Sequence, residues 1–203
     1  MEGGSNMSES IHIDFVFSNQ IEFTKEFLEN SFDKIIKSGC VLSHDSVSCD
    51  KAIQEALDDI SKGGHCSIEM KKEKIYFIFS FHKNEGVISI SIERAHFRDW
   101  EDKGIIGDNN AKLVIEWVKR LFLVLSPFYA HGGYMDEEAA SAIYDIDVKK
   151  EINSGRLPAL LWINIISPQA LGKIEKCISK IRAEKIEKLK DGGLLIISKK
   201  NPL

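Results

Sequence analysis

Hydrophobic and polar residues alternate along four stretches of the chain, and this period of two residues is typical of strands with one buried face. The stretches are residues 11–17, 66–70, 75–81 and 88–92. The last three follow one another closely, with a turn-forming Lys-Asn-Glu-Gly sequence before the final one. They therefore predict an antiparallel meander with one solvated face.

Helical spacing of apolar residues predicts three helices in the first part of the chain. The first begins near Asn19, whose distance from Glu22 resembles a capping box, and ends at Gly39. A second occupies residues 48–64, and a third, more apolar one occupies residues 108–126 before a proline. The continuous apolarity of the third helix predicts that it lies in the core.

The remainder of the chain predicts alternating short elements. A short strand is expected at residues 129–135, a helix with an acidic first turn at 136–146, and a buried strand at 159–166. Ser167 followed by a proline predicts the start of another helix. Residues 191–193, Asp-Gly-Gly, predict the turn of a closing hairpin.

This order of elements predicts an α+β fold, in which an antiparallel or mixed sheet has helices packed on one side. We expect one domain over residues 11–203, divisible into lobes at 11–107 and 108–203, after a disordered leader at 1–10. The leader has neither the basic start nor the apolar run of a secretory signal. Because no apolar run approaches the roughly 20 residues needed to cross a bilayer, we expect no membrane association.

Charge is distributed unevenly along the 203 residues. Between Lys173 and Leu203 nine cationic side chains face four acidic ones, a net charge of +5, which leaves −9 for the preceding residues. The overall charge of −4 argues against a general nucleic-acid binder. The acidic part is either a solvated face or a surface for a basic partner.

The four cysteines, Cys40, Cys49, Cys66 and Cys177, are far apart and lack the spacing of a disulfide framework or a metal site. They are interpreted as buried free thiols of a reducing compartment. We therefore expect a cytoplasmic protein with no metal and no cofactor.

The stretch at residues 129–134, Tyr-Ala-His-Gly-Gly-Tyr, holds one candidate site. His131 titrates near neutral pH, and Tyr134, Asp136, Glu137 and Glu138 follow it closely. A carboxylate that orients the imidazole is compatible with general acid–base chemistry. A glycine turn before a helix N-terminus explains the same residues, and no nucleophile is identifiable.

A second candidate is the aromatic and charged segment Arg98, Asp99, Trp100, Glu101 and Asp102. Tryptophan and arginine are enriched among the residues that dominate binding energy. Alternatively, Trp100 covers the edge of the core while the charges stay solvated.

The C-terminal part of the chain resembles a known family. Residues 157–164 (Leu-Pro-Ala-Leu-Leu-Trp-Ile-Asn), 166–171, 191–197 and Asn201-Pro202 are similar to the closing segment of the type VI immunity proteins of polymorphic-toxin systems. The resemblance covers about the last 50 residues and implies a cytosolic protein that binds a cognate toxin without catalysis.

Three functions remain open from the sequence. The leading interpretation is a non-catalytic binding protein that neutralises a basic toxin. The first alternative is a small enzyme or ligand-binding domain with a cleft around His131. The second is a self-associating module, a homo-oligomer, because an exposed sheet edge pairs readily with another copy.

Overall fold

The computed structural model describes residues 10–18, 24–42, 48–82, 86–97, 105–135, 147–200 and Pro202. Within these residues nine strands form one sheet in which every neighbouring pair is antiparallel. The strands are β1 (Ser10–Val16), β2 (Val41–Leu42), β3 (His65–Lys72), β4 (Ile75–His82), β5 (Val87–Glu93), β6 (Tyr129–Met135), β7 (Ile163–Ile166), β8 (Lys185–Lys188) and β9 (Leu194–Ile197). The described helices are α1 (Lys25–Lys37), α2 (Cys49–Gly63), α3 (Ile105–Leu125), α4 (Val148–Asn153) and α5 (Pro168–Ile178), with a 3-10 turn at Arg94–Phe97. The predicted α+β class and the antiparallel sheet are confirmed.

β1 lies at the centre of the sheet, whose order is β2-β3-β4-β5-β1-β6-β7-β9-β8. It pairs with β5 on one side and with β6 on the other. One continuous sheet therefore joins strands from the first and second halves of the chain. The predicted meander is β3-β4-β5, in the predicted order.

One face of the sheet is buried under α1, α2 and α3, and we call it the core face. Its alternating residues, including Ile13, Phe79 and Ile90, are fully buried. Trp117 of α3 packs on Phe77 with the ring centroids 4.2 Å apart. Burial of each large apolar side chain contributes about 1.5–3 kcal/mol to the stability of the fold. The larger of the two apolar clusters lies on this face, so it supplies most of the apolar burial.

On the opposite face, which we call the second face, the described helices lie over the last strands of the sheet. There α4 and α5 pack over Tyr129, Ile166 and Ile196 in a separate apolar cluster. The predicted packing of helices on one side therefore needs correction, since helices lie on both. The physical reason is that β7 (Ile163–Ile166) carries isoleucine on both faces and is buried at every position, so both of its faces are removed from water.

Helix boundaries follow local capping chemistry. α2 and α5 begin after Ser48 and Ser167, whose hydroxyls accept hydrogen bonds from backbone amides as predicted. α1, however, begins at Lys25, with the Thr24 hydroxyl accepting from the amide of Phe27 at 3.1 Å. The predicted capping box of α1 at Asn19 lies outside the described residues.

Two further boundaries differ from the prediction. α3 begins at Ile105, three residues before the expected start. β7 begins at Ile163 rather than at residue 159, because the side chain of Asn164 bonds both the amide and the carbonyl of Leu161. These bonds take the backbone of Leu161 away from the strand ladder. The helix predicted at residues 136–146 lies outside the described residues.

None of the described helices is both long enough and apolar enough to span a membrane.

Candidate functional site

On the second face, beside the part that lies under α4 and α5, a row of polar side chains crosses β5, β1 and β6. Asp14 lies directly opposite Ser89 on β5 and His131 on β6. The Ser89 hydroxyl donates a hydrogen bond to Asp14 Oδ1 at 2.6 Å, and His131 Nε2 lies 3.9 Å from Asp14 Oδ2. This arrangement places a carboxylate between a hydroxyl and an imidazole.

His12, two residues before Asp14, lies on the same face. Its ring nitrogens bond Ser10 Oγ at 2.6 Å and Ser91 Oγ at 2.9 Å. Burial lowers the pKa of His12 below its usual value, and the Asp14 carboxylate opposes that shift. His12 is therefore a neutral member of a hydrogen-bonded row near pH 7.

His131 is only 5% exposed, so it does not line an open cleft in the described part of the protein. Burial lowers its pKa, and the charge of Asp14 acts in the opposite direction. Its Nδ1 atom is buried without a hydrogen-bond partner in the described residues. The ring also lies 5.4 Å from that of Tyr129. A base in catalysis requires a nucleophile or a substrate proton within hydrogen-bond reach, and no described nucleophile bonds this imidazole.

Tyr134 and the two glycines of the same strand serve packing. Tyr134 points to the core face, opposite His131, because residues of odd and even number alternate across β6. A Cβ at Gly132 would collide with the carbonyl oxygen of His12, and one at Gly133 would lie 3.3 Å from the backbone of Trp162. These glycines therefore allow neighbouring backbones to approach closely.

The other predicted site residues are Arg98, Asp99, Trp100, Glu101, Asp102, Asp136, Glu137 and Glu138. All of them lie outside the described residues. Trp162, in contrast, is buried in the core as expected.

All four cysteines are free thiols, but only two are buried. Cys40 and Cys66 lie in the core, where burial raises the pKa of the Cys40 thiol to about 11 and that of Cys66 to about 12. Cys49 and Cys177 are partly exposed, which corrects the prediction that all are buried. In the described ranges no group of three His, Cys, Asp or Glu residues is placed to hold a metal ion.

The sequence interpretation missed a groove between α2 and β3, which we call the acidic groove. Glu55 and Asp59 of α2 and Glu69 of β3 supply its charge, and its volume is about 180 Å³. Its described lining residues, none of which is cationic, are Leu42, Ala52, Glu55, Ala56, Asp59, Ser67, Ile68 and Glu69. The four-residue spacing of Glu55 and Asp59 on a predicted helix was a signal that these carboxylates share one side.

The groove lies beside a part of β3 that no described strand covers. Among the described residues β2 is the only strand beside β3 on that side, and it pairs only with Met70 and Lys71. The edge of β3 from His65 to Glu69 therefore has no described partner strand. The proximity of Asp59 to this edge is also evident at Cys66, where its charge adds to the effect of burial in raising the thiol pKa.

Exposed apolar side chains lie next to the acidic groove on the second face. Val41, Tyr76 and Ile78 are 50%, 48% and 46% exposed. Val41 and Tyr76 flank Lys71 in one cross-strand row, and Ile78 lies directly opposite Glu69 in the next. We call these three residues the apolar strip. Glu69 therefore lines the acidic groove and lies directly opposite Ile78 of the apolar strip.

Comparison with known proteins gives little further information. No protein-family model matches the chain, and no curated protein sequence matches it. The solved structure of the Pseudomonas aeruginosa T6SS protein PA0821 is similar, with a TM-score of 0.49 and 10% sequence identity. The similarity covers 97% of this chain and 68% of that chain. At this level the comparison carries no argument about function.

Proposed function

We propose that this chain is a non-catalytic binding protein that neutralises a basic partner protein by stoichiometric binding, and that the acidic groove receives the partner. The groove itself is the observation that carries this proposal. Three carboxylates, Glu55, Asp59 and Glu69, line one open depression, and no cationic side chain is among its described lining residues. Lys51, one turn before Glu55 on α2, forms an exposed ion pair with it at 3.6 Å, which a basic segment of the partner would replace. A basic segment would find complementary charge there.

The shape of the groove favours an extended segment. The edge of β3 at residues 65–69 lies beside α2, next to the two residues of β3 that pair with β2. A strand from another protein would add to this edge through backbone hydrogen bonds. Its Lys or Arg side chains would then reach Glu55 and Asp59, while its apolar side chains would pack on Leu42 and Ile68.

The apolar strip extends this surface onto the second face. Binding energy usually comes from a few apolar or aromatic anchors at the centre of an interface, and charges at the rim accelerate association. Tyr76 and Ile78 provide such anchors close to Glu69. We therefore place the centre of the interface between Tyr76 and Glu69.

The nature of the partner follows from the C-terminal resemblance to type VI immunity proteins, which implies a cognate toxin in the cytosol. An enzyme with a cleft at His131 receives less support, because the imidazole is buried and bonds no described nucleophile. Neutralisation requires only that the bound protein blocks the active site of the toxin, and no chemistry by this chain.

The test is growth rescue in cells that express this protein together with a candidate basic toxin. Protection by the wild-type protein, lost on Glu55→Lys and on Ile78→Asp, is the expected result. Asp58→Lys is the matched control, because Asp58 is an exposed acidic residue of the same helix that does not line the groove. Equal protection by all variants would exclude this surface, and no protection by the wild-type protein would exclude that toxin as its partner.

A further inference from the structure

We infer that the outer edge of β8 is a self-pairing surface, through which two copies of this chain join their sheets antiparallel about a two-fold axis at Ile186. β8 is the last strand of the sheet, and its described neighbour is β9 alone. Ile186 is 46% exposed on it, and Lys185 and Lys188 are exposed too. This inference does not depend on the proposed function, because β8 lies at the opposite end of the sheet from the acidic groove.

The geometry of an antiparallel pair restricts the register. Residues directly opposite each other either both direct their backbone groups towards the partner or both direct them away. These directions alternate along an edge strand, so a two-fold axis must pass through a residue and not between two residues. The central candidates in β8 are therefore Lys185, Ile186, Glu187 and Lys188.

Charge selects among these registers. An axis at Lys185 or Lys188 places two ammonium groups opposite each other, and an axis at Glu187 does the same with two carboxylates. Like charges directly opposite are destabilising in a sheet. An axis at Ile186 instead places two apolar side chains in contact, so it is the register without this conflict.

Within two residues of the axis, the same register pairs each charge with its opposite. Farther out, beyond the ends of β8, Arg182 would face Lys190 of the second copy. Lys185 meets Glu187 of the second copy, and Glu184 meets Lys188 of the second copy, each twice by symmetry. Glu187 already accepts from Lys119 at 2.7 Å and from Lys185 at 2.6 Å within one chain. Glu184 and Lys188 have no ion-pair partner in the described residues, so they are available for the intermolecular pair.

The interface is small, and association is accordingly weak. Interfaces below about 1,200 Å² of buried area are typical of transient complexes, and we expect a dissociation constant between about 1 µM and 1 mM. Sedimentation velocity and small-angle X-ray scattering from about 10 µM to about 1 mM protein would follow the conversion of monomer to dimer. A monomer throughout this range would overturn the inference.

Charge-swapped variants test the register. Glu184→Lys and Lys188→Glu each place like charges opposite each other, so each alone should weaken dimerisation at least about threefold. The double variant restores opposite charges and should dimerise as the wild-type protein does. Lys62→Glu is the control, since it makes the same change of charge at an exposed position of α2, which packs at the other end of the sheet.

Three results would contradict the self-pairing. One is a double variant as weak as either single variant. Another is a loss of dimer with Lys62→Glu equal to that with Lys188→Glu, which would indicate an effect of net charge. The third is a monomeric protein whose capture of the toxin partner depends on Ile186, which would assign the β8 edge to that partner.

Discussion

Asp14 and His131 are direct cross-strand partners, with the carboxylate Oδ2 3.9 Å from the imidazole Nε2 on a largely buried part of the sheet. Ser89 donates to the other oxygen of the same carboxylate at 2.6 Å. An imidazole held this way is a buried neutral group whose protonation costs desolvation energy. The buried His131 should therefore make the stability of the protein depend on pH.

We expect acid to destabilise the protein as the pH falls below about 6.5. Burial lowers the folded-state pKa of His131 and of His12, so below that pH the unfolded chain binds protons that the folded protein does not. The stability contributed by neutral histidine is complete above the unfolded pKa and is lost as the pH falls towards the folded value. Urea unfolding at several pH values between about 5 and 8 would measure this slope.

The variant His131→Asn should flatten that slope, since asparagine does not titrate. The free energy of unfolding of the variant should change less than that of the wild-type protein between about pH 7 and pH 5. A slope unchanged by His131→Asn would show that this histidine is not responsible.

Gly132→Ala should destabilise the protein by at least about 2 kcal/mol, because overpacking at a rigid contact forces backbone shifts. The added methyl group would lie 2.6 Å from the Cα atom of Ile13 in the paired strand. Gly172→Ala is the matched control, because no atom lies within 4 Å of its added methyl group. Thermal and urea unfolding would compare them, and equal stability of the two variants would contradict the close packing of β1 and β6.

Asn164→Ala should cost about 2–4 kcal/mol, because it leaves several buried polar groups without partners. Asn164 accepts a hydrogen bond from the Tyr129 hydroxyl at 3.0 Å and bonds the amide and carbonyl of Leu161. Tyr129→Phe removes only one of these bonds and should cost about 1 kcal/mol. An Asn164→Ala cost no larger than that of Tyr129→Phe in urea unfolding would refute the bridging role of Asn164.

Thiol labelling should divide the cysteines into two pairs. Cys49 and Cys177 are partly exposed and should react with iodoacetamide in the folded protein. Cys40 and Cys66 should react only on unfolding, because burial both shields them and raises their pKa. Mass spectrometry of labelled peptides gives the assignment, and rapid labelling of Cys66 in the folded state would contradict its placement in the core.

The sequence predicted most elements but not their spatial relationships. Alternation and turn residues located β1, the meander and the closing hairpin, because these signals are local. The position of β1 between β5 and β6 depends on pairing between distant segments, for which no local pattern exists. The coverage of both faces by helices was missed for the same reason. The mostly apolar sequence of residues 159–166 nevertheless indicated a strand that is buried on both faces.

The candidate site was predictable to a smaller extent. His131 and Tyr134 were selected for their residue types, but strand alternation places them on opposite faces. The acidic groove lies between α2 and the edge of β3, a tertiary feature that sequence spacing shows only in Glu55 and Asp59. Residue types identified the candidate site residues, but the pairing of strands determines which of them lie close together.

The central claim is that the acidic groove binds a basic protein, and site-specific photo-crosslinking in the protein's own cells tests it most directly. A photoreactive residue at Ser67, which lines the groove, should link one basic protein, while the same residue at Asp58 should not. The purified pair should bind with 1:1 stoichiometry, and Glu55→Lys should weaken that binding at least about tenfold. Absence of a protein crosslink at Ser67, or a partner whose affinity Glu55→Lys leaves unchanged, would contradict the account.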